Sequence, residues 1–155
     1  MSKQAETLAS QFEQVNSDLI STIESMSDAQ WKAICSGEQW PVGVTAHHIA
    51  GGYQPISGLV QMLAAGQTAP ITPEQIDQGN AQHAQSAANC TKSETIELLR
   101  QNGQMAAAIV RGLSDAQLAQ AGSVFGNSMT AEQGVQNILI GHAQQHGASI
   151  RQAIG

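Results

Sequence analysis

Apolar side chains recur every three or four residues in four long stretches of the chain, which is the pattern of helices with one buried face. The first stretch runs from about residue 3 to 25, the second from about 41 to 65, the third from about 91 to 113, and the fourth from about 130 to 154. The apolar positions of the first stretch form a single stripe: Leu8, Phe12, Val15, Leu19 and Ile23.

The other stretches carry similar but less regular faces. We expect the inward positions to be Val44, His48, Leu59 and Met62 in the second stretch, and Ile96, Leu99, Ala106, Ile109 and Leu113 in the third. In the fourth, the stripe contains Val135, Ile138, Leu139, His142, His146 and Ile150. Pro55 lies within the second stretch and cannot donate a backbone hydrogen bond. Together with Gly51 and Gly52 it predicts a kink or a local break there.

Helix-start signals predict short helices within the segments that connect the four long stretches. Ser27 with Gln30 predicts a short capped helical turn, and Thr72 before Pro73 predicts another helix start. Residues 80–90 are small and polar and are predicted to be partly irregular, while residues 122–128 are predicted to be a loop or at most a short extended piece. No apolar and polar alternation indicates a sheet. The chain is therefore predicted to be one all-α domain over residues 1–155, an antiparallel four-helix bundle with short extra helical turns in its connections.

Composition and charge exclude several functions. The formal net charge is −6 and the six Lys and Arg residues are scattered, so no basic stripe is available for nucleic acid or an anionic membrane surface. No apolar run approaches the roughly 20 residues that span a bilayer, and no signal-peptide pattern is present. Cys35 and Cys90 lack metal-site or redox spacing and are expected to be reduced. These features predict a cytoplasmic protein.

Three histidines on predicted inward faces are the candidate metal ligands. His142 and His146 are four residues apart, hence one helical turn apart on the same face. His48 is inward on the second stretch. Buried imidazoles need partners, and neutral imidazole is a preferred ligand of Zn, Ni and Fe. Three protein ligands leave a coordination position open, which is typical of catalytic sites.

The two remaining histidines are the alternatives. His47 lies about 100° around the helix from His48 and competes with it for the role of ligand; the register favours His48. His83 falls in the polar stretch and is predicted to be a solvated loop residue. The positional candidates for a group that assists the site are Tyr53, Gln54, Asn80 and Gln145, although packing or surface roles explain each of them more simply. Trp31 and Trp40 are predicted to pack at helix ends, with the mouth of the pocket as the alternative position for both.

Together these residues resemble the DinB-like (DinB/YfiT) family of metalloenzymes. The family pattern is a tryptophan before the second helix, a histidine eight residues later and H-x-x-x-H on the last helix, here Trp40, His48, His142 and His146. The resemblance covers most of the chain. Pro41 departs from it, because the family usually has a Ser or Thr cap there.

Two further comparisons with the family bear on the pocket. Asp77 and Asn80 lie where many members carry an Asp/Asn pair before the third helix. The Gly51-Gly52 pair and Pro55 are a departure that is expected to reshape the pocket beside His48.

The resemblance implies an up-down-down-up bundle, a divalent metal that is most often Ni or Zn, and frequent homodimers. Some relatives use a low-molecular-weight thiol as S-transferases or as an isomerase. The function predicted from it is a metal-dependent enzyme, a thiol-dependent transferase or a hydrolase, that acts on a small-molecule substrate. The alternatives are a binding protein for a metal or small ligand without turnover, and a structural module in which the histidines are only hydrogen-bonded core residues.

Overall fold

Four long helical segments form the body of the structure, a computed structural model that describes residues 1–155. In chain order the elements are α1 (Lys3–Ser25), α2 (Asp28–Lys32), β1 (Ile34–Cys35), β2 (Trp40–Pro41), α3 (Val42–Ala64), α4 (Pro73–Ser86), α5 (Lys92–Arg111), α6 (Asp115–Ala119), β3 (Ala121–Val124), β4 (Asn127–Thr130), α7 (Ala131–Gly134), a π-helix (Val135–Ile140) and α8 (Gly141–Ile154). Helices α1 and α3 each pack against both α5 and α8, so the four close around one core. The predicted all-α four-helix bundle is confirmed.

Capped starts set the beginnings of the helices. Ser27, Thr72, Thr91 and Thr130 each accept a hydrogen bond from a backbone N–H three residues later, and a glutamine or glutamate side chain at that position bonds back. These reciprocal bonds satisfy N–H groups that a helix start otherwise leaves unpaired. The predicted helix starts therefore agree with the structure to within about two residues.

The core is made mainly by α1, α3, α5 and the last helical segment. The predicted stripe of α1 is buried except for Val15, which is half-buried. The predicted inward face of α3 is partly wrong, since Leu59 and Met62 are only half-buried. The fully buried large side chains of α3 are Ile49, Tyr53, Val60 and Leu63. Because α3 is rich in small and apolar residues on several sides, its sequence does not single out one face, and His48 lies at the edge of the core.

The β1–β2 hairpin and one longer helix depart from the predictions, whereas the β3–β4 hairpin corresponds to the short extended piece that was one of the two possibilities for residues 122–128. Strand β1 pairs with β2 and β3 pairs with β4, both antiparallel. Strands of two to four residues are too short to show an alternation of apolar and polar positions. Of residues 80–90, which were predicted to be partly irregular, residues 80–86 belong to α4, although none of the residues of this helix is buried, and residues 87–90 lie outside a helix. Its many Ala and Gln residues favour the helix.

Helix α3 remains unbroken at Pro55, so the predicted break is wrong. The last helix instead contains an irregularity that the sequence did not reveal, a six-residue π-helix that ends two residues before His142. Such segments are rare and occur frequently at functional sites. None of the helices combines the length and the apolar character needed to cross a membrane. Cys35 and Cys90 are both free thiols, as predicted.

Candidate metal centre

Two helices bring the three predicted histidines together. His48 comes from α3, and His142 and His146 come from successive turns of α8. One ring nitrogen of each lies within 4.8 Å of the others. The Nε2 atoms of His48 and His142 are 3.0 Å apart, and the ring centroids of His142 and His146 are 4.5 Å apart. The structure thus assembles these side chains into one half-buried cluster.

The geometry and charge of the cluster fit a divalent ion. Two nitrogens that each lie about 2.1 Å from one zinc ion are separated by about 3.0–3.4 Å, which matches the spacing of His48 and His142. Burial, together with the neighbouring imidazoles, lowers the pKa of His48 to about 3. Burial and the adjacent His146 lower the pKa of His142 to about 4. Both rings are therefore neutral near pH 7, the protonation state that binds metals.

A carboxylate is hydrogen-bonded to the third histidine of the cluster, His146. Glu38 lies in the turn between β1 and β2, and its Oε1 is 2.9 Å from Nδ1 of His146. The Glu38 side chain is only 11% exposed. Burial is the largest single influence and raises its pKa, but the hydrogen bonds with His146 and Ser149 and the charge of His146 together lower the net pKa. A bond from Nδ1 to a carboxylate leaves Nε2 of His146 as the atom that faces an ion, an arrangement found around many metal-bound histidines.

Glu38 was not among the site residues predicted from the sequence. The residue lies in the short break before Trp40, where neither helical periodicity nor a motif assigns a side chain to the histidines. The available signal was an acidic residue two positions before the tryptophan of the family pattern. Gln39 takes a positive φ of 60° in this turn, which helps close the hairpin that carries Glu38.

Close packing fixes two of the rings. The edge of Trp40 meets His48 at a centroid distance of 5.1 Å, so this tryptophan packs at the helix end as predicted and also contacts the site. Trp31 packs more remotely, against Gly43, and donates to the Cys90 carbonyl. At Gly52 an added Cβ would lie 3.1 Å from Cε1 of His142. The missing side chain at Gly52 is thus part of the shape of the site.

Gly52→Ala is expected to disturb the site without unfolding the protein. The new methyl group would press on His142 and displace its ring, so we expect metal affinity to fall about 10-fold, within the range for changes just outside the ligands. Isothermal titration with Zn²⁺ measures the change. The matched control is Gly58→Ala on the same helix, where an added Cβ meets nothing within 4 Å. That variant is expected to keep its affinity and to gain about 0.5–1 kcal/mol of stability. Equal zinc affinities for the two variants would contradict this role of Gly52.

The four assisting candidates are not hydrogen-bonded to the cluster. Tyr53 is fully buried in the core, where its hydroxyl donates to Oδ1 of Asn16 at 2.8 Å. The packing role that was the simpler explanation for Tyr53 is therefore confirmed. Gln54 and Gln145 are exposed, and Asn80 is half-buried on α4.

The remaining histidines form a pair at the edge of the cluster. Nδ1 of His47 lies 2.7 Å from Nε2 of His83, and their rings stack with centroids 4.9 Å apart. His83 is half-buried on α4, so the prediction of a solvated loop residue is wrong. Its ring centroid is 5.8 Å from that of His48. All five histidines of the chain thus form one continuous group.

Comparisons with known proteins agree with this fold. The model of the DinB superfamily matches residues 11–150. The chain is also similar to the structure of YfiT from Bacillus subtilis, a protein described as a probable metal-dependent hydrolase with an unusual four-helix bundle topology. That similarity has a TM-score of 0.79 at 18% sequence identity and covers 99% of this chain and 87% of YfiT. No curated protein sequence matches. With its family model matched over nearly its whole length, the chain belongs to the DinB superfamily.

Proposed function

We propose that this protein is a metal-dependent enzyme in which His48, His142 and His146 hold one divalent ion. Zn and Ni are the first candidates for that ion. The observation that carries the proposal is the convergence of three half-buried imidazoles on one point, with Glu38 bonded to the outer nitrogen of one of them. Bundle cores often build metal sites from side chains on facing helices. The similarity to YfiT, described as a probable metal-dependent hydrolase, supports the same class of chemistry.

The three-histidine set leaves a position for an external nucleophile. A divalent ion in such a site lowers the pKa of a bound water and deprotonates a bound thiol. The protein supplies no thiol of its own there, since Cys35 is buried and the half-buried Cys90 donates to the Gly43 carbonyl. Burial raises the pKa of both cysteines, which makes them poor nucleophiles.

Between water and a thiol, we favour a low-molecular-weight thiol and hence an S-transferase acting on a small electrophile. The one carboxylate bonded to the cluster, Glu38, has Oε1 on Nδ1 of His146, the ring nitrogen that does not face the ion, and is therefore badly placed to act as a general base for a nucleophile on the ion. A thiol needs less help from a base, because its unperturbed pKa is far below that of water. Hydrolysis by water is the second candidate, which the resemblance to YfiT favours.

A paired assay separates the two reactions. The protein is loaded with Zn²⁺ or Ni²⁺ and tested with 1-chloro-2,4-dinitrobenzene plus glutathione or cysteine, and with p-nitrophenyl acetate alone. The proposal expects thiol-dependent turnover that chelation by EDTA abolishes and added metal restores. Metal-dependent ester cleavage without a thiol would indicate the hydrolase. Bound metal with no turnover of either kind would contradict the enzyme and leave a metal-binding protein.

Glu38→Gln is expected to weaken the site while leaving all three histidines in place. The amide keeps the size of the side chain but loses the charge that orients and polarises His146. Loss of such an outer partner lowers metal affinity or activity by about 10–100-fold. Zinc titration and turnover measure the change, and the exposed Glu97→Gln on α5 is the control. Equal affinity and activity in both variants would contradict the role of Glu38.

A further inference from the structure

The pair of histidines beside the metal centre has one hydrogen bond and one unused nitrogen. Nε2 of His83 and Nδ1 of His47 share a proton at 2.7 Å, while Nδ1 of His83 is buried and has no partner. Apart from the contact with His47, little packing holds the His83 side chain in place, because none of the residues of helix α4 is buried. The bond to His47 therefore fixes the position of the His83 ring.

The unused nitrogen indicates the tautomer. A buried N–H without a partner is rarer in proteins than an acceptor without one. The shared proton is accordingly assigned to Nε2 of His83, which donates to Nδ1 of His47. Nδ1 of His83 is then a bare acceptor.

We propose that Nδ1 of His83 accepts a hydrogen bond from the protic group, a thiol or a water molecule, that occupies the open position of the metal centre. His83 acts as a positioning residue for that group, and His47 fixes its tautomer. The placement supports this role: the His83 ring is 5.8 Å from that of His48, and its Nδ1 is buried with no partner in the protein. The inference rests on the proposed function, because it requires an ion at the three histidines.

Two substitutions at position 83 separate the roles of the ring nitrogens. The amide of His83→Asn reaches the place of Nδ1 and can restore an acceptor there. The amide of His83→Gln reaches the place of Nε2 and keeps only the bond to His47. His83→Ala removes both, and Gln82→Ala, exposed on the same helix, is the matched control.

The experiment uses protein loaded with Co²⁺, whose visible spectrum depends on its ligands. Each variant is titrated with 2-mercaptoethanol, and thiol binding is followed by the thiolate-to-cobalt absorption. All variants are expected to bind one Co²⁺, because His83 is not a ligand. His83→Gln and His83→Ala should bind the thiol about 10-fold or more weakly, the scale of outer-shell effects. His83→Asn and Gln82→Ala should stay near the parent.

Several results would overturn the inference. Thiol affinity in His83→Gln and His83→Ala equal to the parent, or no recovery in His83→Asn relative to His83→Ala, would remove the acceptor role. Loss of Co²⁺ from the position-83 variants would make His83 a ligand instead. A parent protein that binds no Co²⁺ would overturn the proposed function and this inference together, which distinguishes that failure from the others.

Discussion

His142→Ala is expected to abolish tight metal binding, the largest functional effect of any single substitution in the chain. The change removes one of the three proposed protein ligands and deletes the Nε2 atom that lies 3.0 Å from its counterpart in His48. We expect the dissociation constant for Zn²⁺ to rise well beyond the roughly 100-fold that outer-shell changes produce. Isothermal titration of metal-free protein measures it.

Thermal unfolding provides an independent measurement of the same loss. Zn²⁺ at about 100 times its dissociation constant stabilises the parent by about 2.7 kcal/mol, or roughly 5–10 °C in Tm for a chain of this size. Added Zn²⁺ should leave the Tm of His142→Ala unchanged. EDTA should return the Tm of the zinc-loaded parent to its metal-free value. Gln145→Ala, exposed on the same helix, is the control and should keep the full shift. A zinc-induced shift that survives in His142→Ala would place the ion elsewhere.

Asn16→Ala is expected to give the largest loss of stability among the polar residues. Asn16 is a buried amide that accepts from the Tyr53 hydroxyl at 2.8 Å and donates to the Leu99 carbonyl at 2.9 Å, so it ties α1 to both α3 and α5. Truncation leaves the Tyr53 hydroxyl buried without a hydrogen bond, at about 1–3 kcal/mol, and removes a second bond, worth about 1 kcal/mol, from the Leu99 carbonyl within α5. The free energy of unfolding should fall by about 2–5 kcal/mol, measured by urea denaturation.

The exposed neighbour provides the control for this prediction. Ser17→Ala on α1 should change the free energy of unfolding by less than about 0.5 kcal/mol. Zinc affinity should stay unchanged in folded Asn16→Ala, because Tyr53 belongs to the core network and not to the metal cluster. A loss of less than about 1 kcal/mol would show that water or repacking satisfies the Tyr53 and Leu99 groups.

The bundle could be predicted from the sequence because recognisable residue patterns mark both the buried faces and the starts of its helices. The stripe of α1 repeats at helical spacing, and the reciprocal caps at Ser27, Thr72 and Thr91 mark where helices begin. The convergence of His142 and His146 follows from one turn of helix, which is local geometry. His48 was harder, since only the bundle brings α3 against α8; its predicted inward position on the second stretch was the signal that grouped it with the other two, and the family pattern agreed.

What the sequence could not predict depends on contacts between distant segments. Glu38 reaches His146 only because a hairpin with two-residue strands turns back beneath α8. His83 reaches His47 because α4 continues through a stretch that looked irregular. The π-helix before His142 involves a change of hydrogen-bond spacing that apolar periodicity does not resolve. Local patterns contain no information about any of these.

Metal content of untagged protein, measured by plasma mass spectrometry beside His48→Ala and His142→Ala, tests the central claim most directly. We expect close to one divalent ion per chain in the parent after loading with Zn²⁺ or Ni²⁺, and almost none in either variant. No bound metal in the loaded parent, or equal metal in all three proteins, would contradict a three-histidine centre.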